Sequence, residues 1–459
     1  MTQLSRTWRS FVNWLMARNI VGPKELIPAA VIAALVVAWL VIRRHRGWTR
    51  TVAICAGVGA VVGVIAWFLG EKVLNLTLGP MPMLGRIWVV AFFIGLGLVV
   101  ANFRWSTWRR KVAAVLAAVV LLGATVLAVN KAYQINTTLG ALLGRVPANP
   151  ITLPSQPTSS PSHHEDFDGA HWVAPADMPA KGQAGNQYLP GKVSGFHPRS
   201  ASIYLPPAAL VANAPKLPVV VFMMGQPGTP DAPLFKDQLD GIAAAHNGLS
   251  PIVVFVDQLG NPNVDTLCLD TQKFGNVETY INTDVVNWVR ENLNVSTDRQ
   301  DWTVGGYSQG GQCAVSFGAK HPDLWGNVMS VSGEAYPGFD HAPDVLANVF
   351  HGDQGAYDAV KPSTILAKNH YPDTWAFFSY GTDDHYFGPS LQELAQQAAA
   401  AGMTVKVDPL ENAGHLMPAV RGGLGPASSG CTRAPASAEP HPRAHHVMLR
   451  ATPTWWASG

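Results

Sequence analysis

The chain has 459 residues, a formal net charge of +2, and only 14% of its residues are Asp, Glu, Lys or Arg. This length is sufficient for two or three domains, and so small a net charge gives no support to nucleic acid as a partner. None of the four cysteines (Cys55, Cys268, Cys313 and Cys431) has the CxxC or Cys/His spacing of a zinc site. The sequence therefore predicts neither a metal nor an organic cofactor.

The first third of the chain contains four apolar segments, each close to the roughly 20 residues that cross a hydrocarbon core as a helix. They are residues 26–42, 51–69, 84–103 and 112–129. Four such segments in succession, without a cleavage site, are typical of a permanent membrane domain and not of a signal peptide. We therefore predict a domain of four transmembrane helices over residues 1–135.

The connections between these segments indicate an orientation. RRHRGWTR (43–50) and RWSTWRRK (104–111) each carry four Lys or Arg residues and fall on the same side of the membrane. The positive-inside rule assigns that side to the cytoplasm, which places both termini outside. The leading segment is also basic, with Arg6, Arg9 and Arg18, and its aromatic residues suggest an amphipathic helix in the membrane interface.

Two stretches lack apolar periodicity. Residues 136–194 include a Pro/Ser-rich tract and are predicted to be an extended linker. Residues 425–459 are rich in Ala, Pro, Ser, Arg and His and are predicted to be a disordered tail.

Residues 195–424 have the pattern of an α/β domain. Short apolar runs bounded by Pro, Gly and Asp alternate with helical stretches such as 277–292, 311–322 and 390–402. The runs are 218–224, 251–256, 301–307 and 373–380. Continuous apolar strands between amphipathic helices predict a mostly parallel sheet covered on both faces.

A G-x-S-x-G motif, Gly306 to Gly310, follows the run 301–307 and precedes the helix 311–322. In a strand–turn–helix context this motif presents a serine nucleophile, here Ser308. By itself the motif is equally compatible with a simple tight turn. A nucleophilic serine also needs a base and an orienting acid.

Candidates for both follow in the chain order Ser, acid, His. Asp384 lies in GTDD after the run 373–380, and His415 lies in NAGH after the strand-like stretch VKVDPL. Asp383 is an alternative acid, whereas His385 is adjacent to the acid and is poorly placed to reach Ser308. The amides of Gln309 and of Gln226, in the loop GQPGTPDAP, are the predicted oxyanion-hole donors.

The motifs MMGQPG, FGNVETYINTDVVNWV, GGYSQGGQCA, HPDLWGNVMSVSGE, GTDD and NAGH together resemble the putative-esterase branch of the α/β-hydrolases. This branch includes S-formylglutathione hydrolases, enterobactin-type esterases and actinobacterial mycolyltransferases, and the resemblance covers residues 195–420. With the apolar first third, the chain is most similar to membrane-anchored actinobacterial esterases whose catalytic domain faces outward. It departs from the family after His415, where HLMPAVRGGLG gives way to the Pro/Ala/His tail.

The sequence thus predicts a serine esterase that acts on lipid or cell-envelope esters through an acyl-enzyme. An acyltransferase with a sugar or lipid hydroxyl as acceptor uses the same residues, and a non-catalytic envelope-binding protein is the alternative from another class. In an extracytoplasmic domain Cys268 and Cys313 could form a disulfide beside Ser308, the alternative being two buried thiols. The oligomeric state, acyl chain and alcohol are left open.

Overall fold

The computed structural model describes residues 3–74, 81–133, 136, 138–143, 149–154, 172–415 and 420. The chain divides into two compact units, residues 1–143 and 144–459. The predicted tail 425–459 and most of the Pro/Ser-rich tract lie outside the described residues.

The first unit is helical. Its helices are α1 (Gln3–Met16), α2 (Pro23–Val41), α3 (Trp48–Phe68), α4 (Met83–Ala101), α5 (Trp108–Tyr133) and α6 (Leu139–Leu142), and a π-helical turn, Leu69–Val73, extends α3. Three helical stretches are long and apolar enough to cross a membrane: Trp48–Val73, Met83–Ala101 and Trp108–Tyr133. The first predicted span corresponds to the apolar part of α2, Leu26–Val41, which is shorter than these three. Three of the four predicted segments therefore reach the spanning length.

Helices α3 and α4 approach closely because small residues line their contact. A Cβ atom at Gly59 would lie 2.9 Å from Ile94 Cα, and one at Gly63 would lie 2.9 Å from Val90 Cα. These two glycines are four residues apart on one face of α3, the spacing that allows apolar helices to pack through their backbones. Where lipid surrounds helices, such packing replaces the hydrophobic effect as the force between them, because lipid is as apolar as a leucine side chain.

The strands of the second unit are β1 (Gln183–Gln187), β2 (Ala201–Leu205), β3 (Val219–Met223), β4 (Ile252–Val256), β5 (Asp270–Thr271), β6 (Gly275–Asn276), β7 (Trp302–Tyr307), β8 (Asn327–Val331), β9 (Trp375–Gly381) and β10 (Thr404–Leu410). Eight of them form one sheet in the order β1-β2-β4-β3-β7-β8-β9-β10. In this sheet β1 and β2 run antiparallel to their neighbours, and the other pairs are parallel.

Helices connect these strands along the chain. They are α7 (Lys236–Ala245), α8 (Val277–Thr279), α9 (Val286–Asn292), α10 (Gln309–Lys320), α11 (Ala342–Asn348), α12 (Gln354–Ala359), α13 (Pro362–Leu366) and α14 (Gly388–Ala400). A π-helical segment, Tyr280–Val285, joins α8 to α9. All residues of the central strands β3, β4, β7 and β8 are buried. The predicted mostly parallel α/β sheet is confirmed.

One strand lies inside the stretch predicted to be a linker. Residues Gln183–Gln187 pair with Ala201–Leu205 at the edge of the sheet, so the folded unit begins before residue 195. The sequence QAGNQ has no β-branched or aromatic residue, and only its central Gly185 is buried. An edge strand that contributes backbone pairing and little apolar surface has no strong signature in the sequence.

Candidate active site

Ser308 lies at the turn between β7 and α10, with φ +55° and ψ −122°. This conformation is costly for a residue with a side chain, and it is characteristic of the nucleophile turn in α/β-hydrolases. A Cβ at Gly306 would collide with the carbonyl of Gly310, and one at Gly310 would collide with the carbonyl of Met223. The two glycines of the motif therefore let β7, α10 and β3 meet beneath the serine.

Ser308, His415 and Asp384 form a hydrogen-bonded relay. His415 Nε2 lies 2.8 Å from Ser308 Oγ, and His415 Nδ1 lies 2.7 Å from Asp384 Oδ2. All three residues are at least nine-tenths buried. In this arrangement the imidazole can take the serine proton while the carboxylate holds the ring and stabilises the imidazolium.

The backbone around the relay holds its members in place. Asp384 Oδ1 accepts a hydrogen bond from the Phe387 amide at 3.0 Å, which orients the carboxylate toward His415. The Tyr307 hydroxyl donates to the His415 carbonyl at 2.9 Å. Burial, and to a smaller extent the charge of Asp384, raises the pKa of Tyr307, so its hydroxyl keeps the proton that it donates.

The structure also separates the alternatives that the sequence left open. The carboxylate in contact with His415 belongs to Asp384, whereas Asp383 donates its amide to the Ala413 carbonyl at 2.9 Å. His385 is exposed, on the turn that follows Asp384. The difference between adjacent aspartates comes from the direction in which the turn after β9 presents each side chain.

The loop after β3 passes directly over the serine. A Cβ at Gly225 would lie 2.9 Å from Ser308 Cβ, so a glycine is needed for this approach. Gln226 is the next residue, and its side chain donates to the Pro262 carbonyl at 3.3 Å. Gln309 is the first residue of α10, a position whose amide has no partner within the helix. Of the two predicted oxyanion donors, Gln309 thus follows Ser308 in the chain, and Gln226 follows the glycine that approaches Ser308.

An ion pair that we did not predict braces this loop. Arg199 Nη2 lies 2.6 Å from Asp257 Oδ1 and also donates to the Gly228 carbonyl at 2.9 Å. Asp257 is fully buried and its other oxygen accepts from the Arg199 amide at 2.6 Å. The pair ties the end of β4 to the loop that carries Gln226. The sequence signal for this pair was an arginine before the strand-like stretch SIYLP, but the aspartate that pairs with it lies 58 residues further along the chain.

The Gln309 side chain is also held. Its Oε1 accepts from Gln258 Nε2 at 2.8 Å, and its Nε2 donates to Asp265 Oδ1 at 3.1 Å. A disulfide joins Cys268, in the same loop as Asp265, to Cys313 in α10. The loop after β4 is therefore linked to α10, the helix that follows Ser308, by a covalent bond and by a hydrogen-bonded network.

Glu334 is a buried acid next to the nucleophile. Its amide donates to the Ser308 carbonyl at 3.3 Å, and its Oε2 has no hydrogen-bond partner in the described part of the chain. Burial, followed by the charges of Asp265 and Asp340, raises the pKa of Glu334 well above its ordinary value. Burial raises the pKa of Asp265 as well. Glu334 ends the motif HPDLWGNVMSVSGE and had no predicted role.

Aromatic side chains border the relay. The Phe387 ring centroid lies 4.3 Å from that of His415, and Tyr386 lies 4.7 Å from Phe387. Phe339 lies 5.6 Å from Tyr386, which is 47% exposed. Together these rings make an apolar border that is partly open to solvent. Within the described residues, no group of three or more His, Cys, Asp or Glu side chains is placed to hold a metal ion.

The residues of this site lie in a segment that matches a known protein family. Residues 197–415 match the family described as "Putative esterase". An uncharacterised protein of Corynebacterium glutamicum is 28% identical over 398 residues, which cover 83% of this chain and 89% of that protein. This share is larger than the second unit, so the match includes residues of the first unit as well.

Among solved structures, a ferulic acid esterase is 19% identical with a TM-score of 0.45, over 53% of this chain and 95% of its own. An S-formylglutathione hydrolase from Agrobacterium tumefaciens is 16% identical with a TM-score of 0.45, over 54% of this chain and 94% of its own. The family match spans the nucleophile turn, the acid and the histidine, and it ends at His415. The resemblance to the putative-esterase family that the sequence motifs predicted is confirmed by this match over residues 197–415.

Proposed function

We propose that the protein is a membrane-anchored serine esterase that hydrolyses carboxylic esters of lipids or cell-envelope components. The observation that carries this proposal is the buried relay from Ser308 through His415 to Asp384, with distances of 2.8 and 2.7 Å. Its location within an esterase-family segment makes ester cleavage the chemistry that best uses this geometry.

The reaction proceeds in two halves. Ser308 Oγ attacks the ester carbonyl carbon while His415 Nε2 takes the hydroxyl proton, and the tetrahedral oxyanion accepts hydrogen bonds from the amides of Gln226 and Gln309. Collapse breaks the bond to the alcohol, which leaves with the proton from His415. Water then attacks the acyl-enzyme with His415 as base, releases the carboxylic acid and restores Ser308.

The surroundings of the relay support an apolar substrate. The rings of Phe339, Tyr386 and Phe387 offer a border on which an acyl chain or an aromatic acyl group can pack. Three helices of the first unit are long and apolar enough to span a membrane. Anchoring by these helices would keep the esterase unit at high local concentration beside lipid or envelope esters.

An extracytoplasmic position is part of the proposal. The disulfide between Cys268 and Cys313 requires an oxidising compartment to form and persist. The basic connections 43–50 and 104–111 favour the cytoplasm by the positive-inside rule. If Leu26–Val41 also crosses the membrane, the second unit follows the fourth span and emerges on the opposite, outer side.

A fluorophosphonate probe tests the proposal directly. We expect the full-length protein in detergent to be labelled, and we expect labelling to be lost in Ser308→Ala and strongly slowed in His415→Gln. Ser363→Ala, on helix α13, is the matched serine control and should be labelled like the wild type. A folded wild-type protein that is not labelled would favour the envelope-binding alternative. Adding an alcohol acceptor to the ester assay and measuring the new ester against free acid distinguishes acyl transfer from hydrolysis.

A further inference from the structure

One end of the helical unit concentrates positive charge. At this end α2 and α4 finish and α3 and α5 begin, and the two connections carry only basic charged residues. The cations are Arg43, Arg44, Arg46, Arg50, Arg104, Arg109, Arg110 and Lys111. The acidic residues of the unit, Glu25 and Glu71, lie at the start of α2 and after the end of α3, each a helix length away from this end.

Two of these guanidinium groups are held close together without an acid. Arg43 donates to the Arg104 carbonyl at 2.9 Å and to Ser106 Oγ at 2.8 Å. Arg110 donates to Asn102 Oδ1 at 2.7 Å and to the Trp39 carbonyl at 3.2 Å. The two positive charges repel each other. Neutral carbonyl, amide and hydroxyl oxygens thus fix their positions, and among the described residues no acid pairs with either charge.

An apolar groove runs from this basic end along α2 and α5. Its volume is about 380 Å³, and it is lined by Ile32, Leu35, Val36, Trp39, Ala113, Leu116, Ala117 and Val120. Trp39 lies at the basic end of the groove, with the Arg110 guanidinium 4.6 Å above its ring. Arg109 precedes Ala113 by one helical turn and therefore lies on the groove face of α5.

We propose that the groove and the arginines at its basic end, Arg43, Arg109 and Arg110, form one binding site for an anionic phospholipid. The phosphate lies among Arg43, Arg109 and Arg110, and one acyl chain occupies the groove between α2 and α5. Charge complementarity favours this occupant, because the uncompensated cations need an anion at the point where the apolar groove reaches them. The inference assumes that the helical unit lies in a bilayer, and it is independent of the esterase chemistry.

Native mass spectrometry of the full-length protein in detergent micelles tests the site. Phosphatidylglycerol and phosphatidylcholine with identical acyl chains are the probes. We expect tighter retention of phosphatidylglycerol, and we expect Arg109→Gln to weaken its apparent affinity about fivefold, the effect of about 1 kcal/mol per cation. Lys111→Gln is the matched control, since Lys111 lies two residues further along α5 and off the groove face. Equal losses in the two variants would indicate surface attraction and overturn the proposal.

The acyl-chain part of the site has its own test. Ala113→Phe fills the groove and should abolish preferential retention, whereas Ala53→Phe, on an exposed face of α3, should leave it unchanged. Retention of phosphatidylglycerol by Ala113→Phe at the wild-type level would overturn the proposal. Competition by millimolar inorganic phosphate would also overturn it, because the site would then recognise a free anion and not a lipid.

Discussion

In the described part of the helical unit many large apolar side chains lie on the surface, whereas in the sheet unit nearly all of them lie inside. The exposed large apolar residues of the first unit lie mainly along α1, α2, α3, α4 and α5. In the described part of the second unit, the exposed large apolar side chains are Val173, Tyr188, Val193, Tyr386 and Val407. The same residue types are thus exposed on helices in one unit and form the core in the other.

The positions of charged residues and the contacts made by glycines also differ between the two units. In the second unit the charge of the buried Asp257 is paired with that of Arg199, and the pair holds a loop beside Ser308. In the first unit eight cations lie in the two helix connections, 43–50 and 104–111. Gly59 lets two helices pack through their backbones, while Gly306 lets a strand and a helix meet beneath Ser308.

The largest expected effect is on the chemistry of the second unit. Asp384→Asn leaves the hydrogen bond to His415 Nδ1 without a charge and favours the wrong imidazole tautomer. We expect kcat for a p-nitrophenyl ester to fall about 10³- to 10⁴-fold. Asp383→Asn is the matched control and should change kcat less than about threefold. If the two variants lost activity equally, or if Asp383→Asn lost more, the assignment of Asp384 would be wrong. The share of protein in the membrane fraction should be unchanged in both.

Removal of the disulfide should lower the stability of the second unit and not that of the first. Cys268 and Cys313 are separated by 45 residues, and the entropy of closing such a loop corresponds to about 4 kcal/mol at most. We expect the double variant Cys268→Ser/Cys313→Ser to lower the free energy of unfolding of the second unit by about 2–4 kcal/mol. The urea midpoint for loss of esterase activity measures this change. Cys55→Ser removes the free thiol of α3 and should leave the midpoint unchanged.

A glycine substitution tests the packing of the first unit. In Gly59→Leu the side chain would meet the backbone of Phe93 and Ile94, and overpacking of this kind costs about 1–3 kcal/mol. We expect a lower unfolding midpoint of the helical unit in detergent, followed by circular dichroism. At Gly57 nothing lies within 4 Å of an added Cβ, so Gly57→Leu is the control. Equal destabilisation by both substitutions would contradict close packing at Gly59. Activity per folded molecule should stay at the wild-type level.

The smallest expected effect is on the pH dependence of stability and concerns Glu334, the buried acid next to Ser308. Because the pKa of Glu334 is raised in the folded protein, folding favours its protonated form. This stabilising proton is fully present below the ordinary glutamate pKa and is lost as the pH rises through the folded pKa. Glu334→Gln keeps the shape without the charge. We therefore expect the variant to gain stability relative to the wild type as the pH rises, and thermal unfolding from pH 4 to pH 9 measures the difference. A difference that does not change with pH would contradict the raised pKa.

Much of the architecture could be predicted from local patterns. The alternation of apolar runs with amphipathic helices indicated the mostly parallel sheet, and the turn after β7 was identified from Gly306, Ser308 and Gly310. Strand β1 was missed, because QAGNQ pairs through its backbone and its side chains bury little. Of the candidate site, Ser308, Asp384 and His415 are brought together in the structure, and their catalytic roles remain predictions.

The sequence by itself determined which segments avoid water, where the chain turns, and the order of serine, acid and histidine. These properties depend on side-chain hydropathy and on backbone sterics over a few residues. Only the tertiary structure decided that Asp384 and not Asp383 meets His415, that Arg199 joins Asp257, and that Glu334 is buried without a partner for one oxygen. Each of these depends on how distant segments of the chain pack together, and the local sequence pattern does not show which distant segments meet.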